Sequence, residues 1–148
     1  PYSLSFDGNT IDDRTESIDI PSNSFNESKS FILRSFIHSL KRMVIGDGCF
    51  ERVRLFELDG LNELESVVIG KESFTLTKSD VGHWSKERTD GAYRIVNCPK
   101  LKSLQCGDYS FKDYHSFELN NLPSLQSIDI GSHCFFYAPS FSLTGLID

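Results

Sequence analysis

The stretch Leu40-Lys41-Arg42-Met43-Val44-Ile45-Gly46 recurs along the chain and decides its fold. Related heptapeptides begin at Leu64, Leu101 and Leu125, and a weaker copy runs from Thr15 to Pro21. Successive copies begin 25, 24, 37 and 24 residues apart, so the repeat is about 24 residues long and the third copy carries an insertion of 13. A fixed period of this length indicates a solenoid of stacked repeats.

Two apolar patterns recur within each repeat when the first residue of a copy is counted as position one. Positions four and six are apolar and alternate with outward residues, and a second pattern, aromatic-x-aliphatic-x-x-apolar, follows as in Phe56/Leu58/Leu61. Alternation at period two is typical of strands with one buried face, so the sequence predicts two short strands per repeat, stacked in parallel. Position eleven is Phe in all five copies: Phe25, Phe50, Phe74, Phe111 and Phe135. We expect these five rings to form a buried column.

A glycine follows the first strand in four copies, at position seven. It is expected to let the chain leave the strand through backbone angles that other residues avoid, while Pro21 ends the strand in the first copy.

The domain organisation follows from the same register. Residues 15–148 are predicted to form one repeat solenoid, and residues 1–14 a partial preceding repeat or an edge. Because neither end shows a polar capping unit, we expect the sequence to be an excerpt of a longer array. The insertion lies within residues 75–92 and holds His83 and Trp84. These two side chains either pin the loop onto the neighbouring repeat or form an exposed contact point for a partner.

The pattern L-x-x-I-x-I-x-x-x-x-F resembles the core motif of the leucine-rich-repeat superfamily. The whole unit, from Thr15 to Leu146, is most similar to the BspA-like repeats of surface proteins. The resemblance implies a β-rich leucine-rich-repeat-like solenoid and a role in protein interaction or adhesion. It also favours an extracellular or cell-surface location, as does the glycosylation sequon Asn26-Glu27-Ser28. The usual Asn of position nine occurs only as Asn23, so an asparagine ladder under these turns is not expected.

Composition and motifs exclude several functional classes. A net charge of −6 and a pI near 5.2 argue against nucleic acid and anionic membranes as partners, and no apolar run approaches the roughly 20 residues of a membrane span. No nucleophile with its base, phosphate-binding loop or metal-ligand spacing is present, so we expect no enzymatic activity, cofactor or metal.

The four cysteines have an expected place in the repeat. Cys98 and Cys106 occupy normally aliphatic positions and are predicted to be small buried side chains. Cys49 and Cys134 share position ten but lie three repeats apart, which is too far for a disulfide between them.

The outward positions two, three and five of the first strands form the predicted binding face. Val44 and Val68 are expected to be neighbours on it, whereas Glu57 and Glu118, on the second strands, are expected to contribute little to binding. The preferred interpretation is a non-enzymatic module that binds a protein ligand of unknown identity. The alternative is a structural spacer within a larger repeat protein. The candidate binding residues are Lys41, Arg42, Val44, Glu65, Ser66, Val68, Lys102 and Ser103, with His83 and Trp84 as a rim.

Overall fold

The computed structural model describes residues 4–6, 9–75, 91–136, 138 and 140–146. Within these ranges the chain has twelve strands and no helix, and ten of the strands form a parallel β-solenoid. An antiparallel pair, β1 (Leu4–Phe6) and β2 (Asn9–Ile11), precedes the repeats. The first strands of the five repeats form one parallel sheet, the first sheet, in the order β3 (Ser17–Ile20), β5 (Arg42–Ile45), β7 (Ser66–Ile69), β9 (Ser103–Cys106) and β11 (Ser127–Ile130). The second strands form the second sheet, in the order β4 (Ser30–Arg34), β6 (Leu55–Asp59), β8 (Ala92–Val96), β10 (Ser116–Asn120) and β12 (Ser140–Thr144).

Equivalent positions of successive repeats lie side by side in both sheets. At position four, Ile18 pairs with Met43, Met43 with Val67, Val67 with Leu104, and Leu104 with Ile128. Val67 and Leu104 are 37 residues apart, yet they keep the register of the other pairs. The insertion therefore leaves both sheets undisturbed, and the predicted parallel stacking of two strands per repeat is confirmed.

Two columns of aromatic rings fill the space between the sheets. In the first column, successive position-eleven rings are stacked with centroids 4.7–5.5 Å apart, and Phe50, Phe74 and Phe111 are fully buried. The second column consists of Phe31, Phe56, Tyr93 and Phe117, stacked at 4.9–5.3 Å. Edge-to-face contacts at 4.7–5.1 Å join the columns. The predicted Phe column is confirmed; Phe25, at its end, is half-buried.

The turn after each first-sheet strand has the same left-handed backbone in all five repeats. Position nine has φ between 57° and 66°, and the position-eleven Phe has φ between 53° and 60°. A non-glycine residue in this region costs on the order of 1 kcal/mol or more, whereas burying a Phe side chain stabilises by about 1.5–3 kcal/mol. Packing of the ring therefore offsets the strain of the turn. The residues at position nine are Asn23, Gly48, Glu72, Tyr109 and His133.

The glycines at position seven are explained by close contact between repeats. None of them has a positive φ, so the expectation that unusual backbone angles require them was wrong. A Cβ on Gly107 would lie 2.7 Å from the backbone of Gly70 and Lys71, and one on Gly131 would lie 2.7 Å from the backbone of Asp108. Side chains are excluded here because consecutive turns touch.

A ladder of hydroxyls and thiols at position ten connects these turns. Ser73 Oγ donates to the carbonyl of Gly46 (2.7 Å) and accepts from the N–H of Cys49 (3.0 Å). Ser110 repeats the arrangement with Gly70 (2.6 Å) and Ser73 (3.1 Å).

The position-ten thiols continue the ladder at both ends. Cys49 Sγ donates to Pro21 and Cys134 Sγ to Gly107, each at 3.1 Å. The side chains at position ten thus supply hydrogen-bond partners to backbone groups of the turns, a role that an asparagine ladder would otherwise have. A short asparagine pair, Asn97 with Asn121 (2.9 Å), lies instead after the second-sheet strands.

We expect Phe74→Ala to lower the free energy of unfolding by about 3–5 kcal/mol, because it leaves a cavity in the first column and removes ring contacts to Phe31 and Phe56 of the second. Phe25→Ala makes the same change at the half-buried end of the column and should cost clearly less. Urea unfolding followed by circular dichroism measures both, with Ser66→Ala as an outward control. Equal losses for Phe74→Ala and Ser66→Ala would contradict the column.

Ser110→Ala should destabilise the fold by about 1–3 kcal/mol, since it leaves the Ser73 N–H and the Gly70 carbonyl buried without a partner. Ser110→Cys should retain most of the stability, because Cys49 and Cys134 already serve position ten. The same unfolding measurement separates the two variants. If both lose the same amount, side-chain volume and not hydrogen bonding decides position ten.

Candidate functional site

The eight described candidate residues lie on the outer face of the first sheet, either on β5, β7 and β9 or directly before these strands. Lys41, Arg42, Glu65 and Lys102 are exposed, and the other four are half-buried. Val44 and Val68 are register partners, so the predicted apolar pair is formed. Position three places Arg42, Ser66 and Ser103 side by side. His83 and Trp84, the predicted rim, lie outside the described residues.

Charges at position two alternate in sign along this face. Glu16, Lys41, Glu65 and Lys102 occupy successive repeats, and Lys41 Nζ lies 3.2 Å from Glu16 while Lys102 Nζ lies 3.5 Å from Glu65. All four side chains are about half exposed or more, so each ion pair contributes only about 0–1 kcal/mol. The alternation removes repulsion between neighbouring repeats and leaves this row nearly neutral.

The centre of the face is flat, and it is bordered by one basic side chain that forms no ion pair among the described residues. Val44, Ser66, Val68 and Ser103 have short side chains, which produces a flat strip across β5, β7 and β9. Arg42 borders the strip, and within the described residues it forms no ion pair, in contrast to Lys41 and Lys102. This arrangement can accept an apolar surface that carries a carboxylate near its edge.

The outer face of the second sheet is organised by a buried carboxylate. Glu57 is only 7% exposed and accepts from Arg34 Nε (2.9 Å) and Arg94 Nη1 (3.2 Å). Arg94 Nε in turn donates to Glu118 at 3.0 Å. Partial burial alone would lower the pKa of Arg94, but Glu118 and Glu57 raise it above its usual value. Glu57 is therefore a structural residue, a role that its outward sequence position did not reveal.

Cys49 and Cys98 are poor nucleophiles, because burial disfavours their thiolate forms. Burial raises the pKa of Cys98 to about 11 and also raises that of Cys49. Within the described ranges, no three His, Cys, Asp or Glu side chains converge as a metal site, and no helix is long and apolar enough to cross a membrane. Cys98 and Cys106 are buried as predicted.

Cys106 and Cys134 form a contact that was not predicted from the sequence, with their Sγ atoms 3.7 Å apart. The two cysteines occupy different repeat positions, six and ten, so a comparison of like positions does not bring them together.

The two ends of the described solenoid differ in exposure. Ile18 and Ile20 of the first repeat are buried, and Ile11 joins the same core from β2. The equivalent side chains of the fifth repeat, Ile128 and Ile130, are each 40% exposed. The exposed apolar side chains of this repeat are Ile128, Ile130, Phe136, Phe141 and Leu143.

Comparison of the chain with protein-family models, curated proteins and solved structures finds no match. The parallel β-solenoid is thus established by the structure itself. The closer relationship to leucine-rich repeats rests on the sequence pattern and remains a proposal.

Glu57→Gln should lower the free energy of unfolding by about 1–3 kcal/mol, because it removes a charged acceptor from between Arg34 and Arg94. Glu118→Gln is the matched control, since Glu118 is more exposed and contacts only Arg94 in this network. In urea unfolding, Glu118→Gln should lower the free energy of unfolding by less than Glu57→Gln does. A larger loss for Glu118→Gln would contradict the central position of Glu57.

Proposed function

We propose that the outer face of the first sheet binds a protein partner, and that the chain is a non-enzymatic interaction or adhesion module related to leucine-rich repeats. The observation that carries this proposal is the flat strip of Val44, Ser66, Val68 and Ser103 beside Arg42. The sequence resemblance and the Asn26 sequon support an extracellular or cell-surface location.

The chemistry of the strip favours a protein over other ligands. Covering the exposed part of the two valines removes apolar surface from water, which favours binding, and Arg is among the residues that dominate binding energy at interfaces. The basic side chains near the strip, Lys41, Arg42 and Lys102, lie beside the acidic Glu16 and Glu65. They therefore do not form the cluster of positive charge that nucleic acid requires. The expected partner presents an apolar patch with an acidic residue at its edge.

The second sheet is a weaker candidate because its central charges already satisfy one another. Arg34, Glu57, Arg94 and Glu118 are linked by hydrogen bonds of 2.9–3.2 Å. A partner on this face would have to compete with these bonds and desolvate the buried Glu57. Binding there would cost more than binding to the flat strip of the first sheet.

A structural spacer is the second candidate function. It is favoured by the uniform register and by the position-two charges, which pair with each other along the face. Stacked strands about 4.8 Å apart set a fixed distance along the solenoid without any ligand. In this case the outer face needs only to remain hydrated.

The test is a screen of the purified chain against a panel of purified extracellular proteins, followed by titration of any partner found. Val68→Glu and Arg42→Glu should each weaken binding tenfold or more, because a charge opposite a desolvated contact costs several kcal/mol. Leu55→Glu and Glu118→Lys make the corresponding changes on the second sheet and should leave the affinity nearly unchanged.

Circular dichroism of all four variants verifies that they are folded. Equal losses on both sheets would place the site elsewhere. If no protein of the panel binds the chain, the spacer interpretation is preferred.

A further inference from the structure

Cys106 and Cys134 bring two thiols together on adjacent repeats. Cys106 ends β9 at position six, and Cys134 lies at position ten of the following repeat, with 3.7 Å between the Sγ atoms. Cys106 is 8% exposed, whereas Cys134 is more accessible. The pair therefore has one buried sulfur and one that solutes can approach.

The repeat architecture does not require this pair. Position ten needs a hydroxyl or thiol for its ladder, and Ser73 and Ser110 meet that need. Position six needs only an apolar side chain, which is Ile20, Ile45 and Ile69 in the first three repeats. Within the described repeats, a contact between two thiols forms only where position six of one repeat and position ten of the next are both Cys.

We propose that Cys106 and Cys134 form a dithiol site, which a small organic disulfide such as oxidised glutathione converts into an intramolecular disulfide between the fourth and fifth repeats. This site is independent of the proposed binding face. It adds a reversible covalent bond to an array that otherwise relies on hydrogen bonds and packing.

The reaction proceeds by two thiol–disulfide exchanges. The Cys134 thiolate attacks one sulfur of oxidised glutathione, which forms a mixed disulfide and releases one glutathione thiolate. Cys106 then loses its proton to solvent and attacks Cys134 Sγ. The new bond joins Cys106 to Cys134, and a second glutathione thiolate leaves. The protein is oxidised by two electrons, and one oxidised glutathione is reduced to two glutathiones.

The geometry gives the two thiols different roles. A hydrogen bond from Cys106 lowers the pKa of Cys134, and the same contact, together with burial, raises that of Cys106. The accessible sulfur is therefore the better first nucleophile. In the thiol state Cys134 Sγ also donates to Gly107 at 3.1 Å, which holds it beside Cys106.

Closing the bond requires only local movement. The sulfurs must approach from 3.7 Å to about 2.05 Å, the length of a disulfide bond. The bond would link the fifth repeat to the fourth, in a region where Ile128 and Ile130 are each 40% exposed.

The test is oxidation of the reduced full chain with oxidised glutathione, followed by alkylation under denaturing conditions and intact mass measurement. The wild type should retain two alkylatable thiols, Cys49 and Cys98, with no added glutathione. Its unfolding temperature should rise by about 5–10 °C. Cys134→Ser keeps a ladder hydroxyl as in Ser110, and should show no such rise.

Cys49→Ser is the matched control, because it makes the same exchange at position ten beside Ile20 and should leave the disulfide intact. Cys106→Val provides a second disulfide-free variant with an aliphatic residue at position six. The proposal is overturned if the oxidised wild type keeps four thiols, stops at the mixed disulfide or forms only intermolecular disulfides. It is also overturned if Cys106→Val gains the same thermal stability as the wild type.

Discussion

In-register stacking is the constraint on which the rest of this structure depends. Each side chain stands next to the residue at the same position of the adjacent repeats, about 4.8 Å away. A repeat position can therefore hold the same residue in every repeat only if that side chain packs well against copies of itself. Phe satisfies this requirement at position eleven through offset stacking, and Ser satisfies it at position ten because a hydroxyl both donates and accepts.

The same charged residue cannot recur at one position in this way, since like charges on neighbouring strands repel each other. The outer rows accordingly alternate in sign, as in Glu16 with Lys41 on the first sheet and Glu57 with Arg94 on the second. Alternating charge is thus a requirement of the fold and is no signal of a ligand. Arg42 and the Val44–Val68 pair are not required by stacking, which is why they carry the proposal of a binding face.

The sequence was sufficient for the features in which like positions of successive repeats pack on one another. The period, the two strands, the Phe column and the Val44–Val68 pair could all be read from like positions. It was insufficient where different positions of neighbouring repeats meet. The close approach of Gly131 to Asp108, the bond from Arg34 to Glu57 and the approach of Cys106 to Cys134 all depend on such contacts. The left-handed turns escaped prediction because Glu72 and Phe74 have no preference for that backbone.

The same architecture makes stability local, because each repeat contacts only its neighbours. The strands β5, β7 and β9 are paired on both sides, so the proposed binding strip lies on the best supported part of the solenoid. A rigid strip reduces the entropy lost when a partner binds. The proposed disulfide would join Cys106, which ends β9, to Cys134 of the following repeat. Cys106 is buried, whereas the strip is formed by outward residues of the same sheet, so oxidation would link the last strand of the strip to the next repeat without using a residue of the binding face.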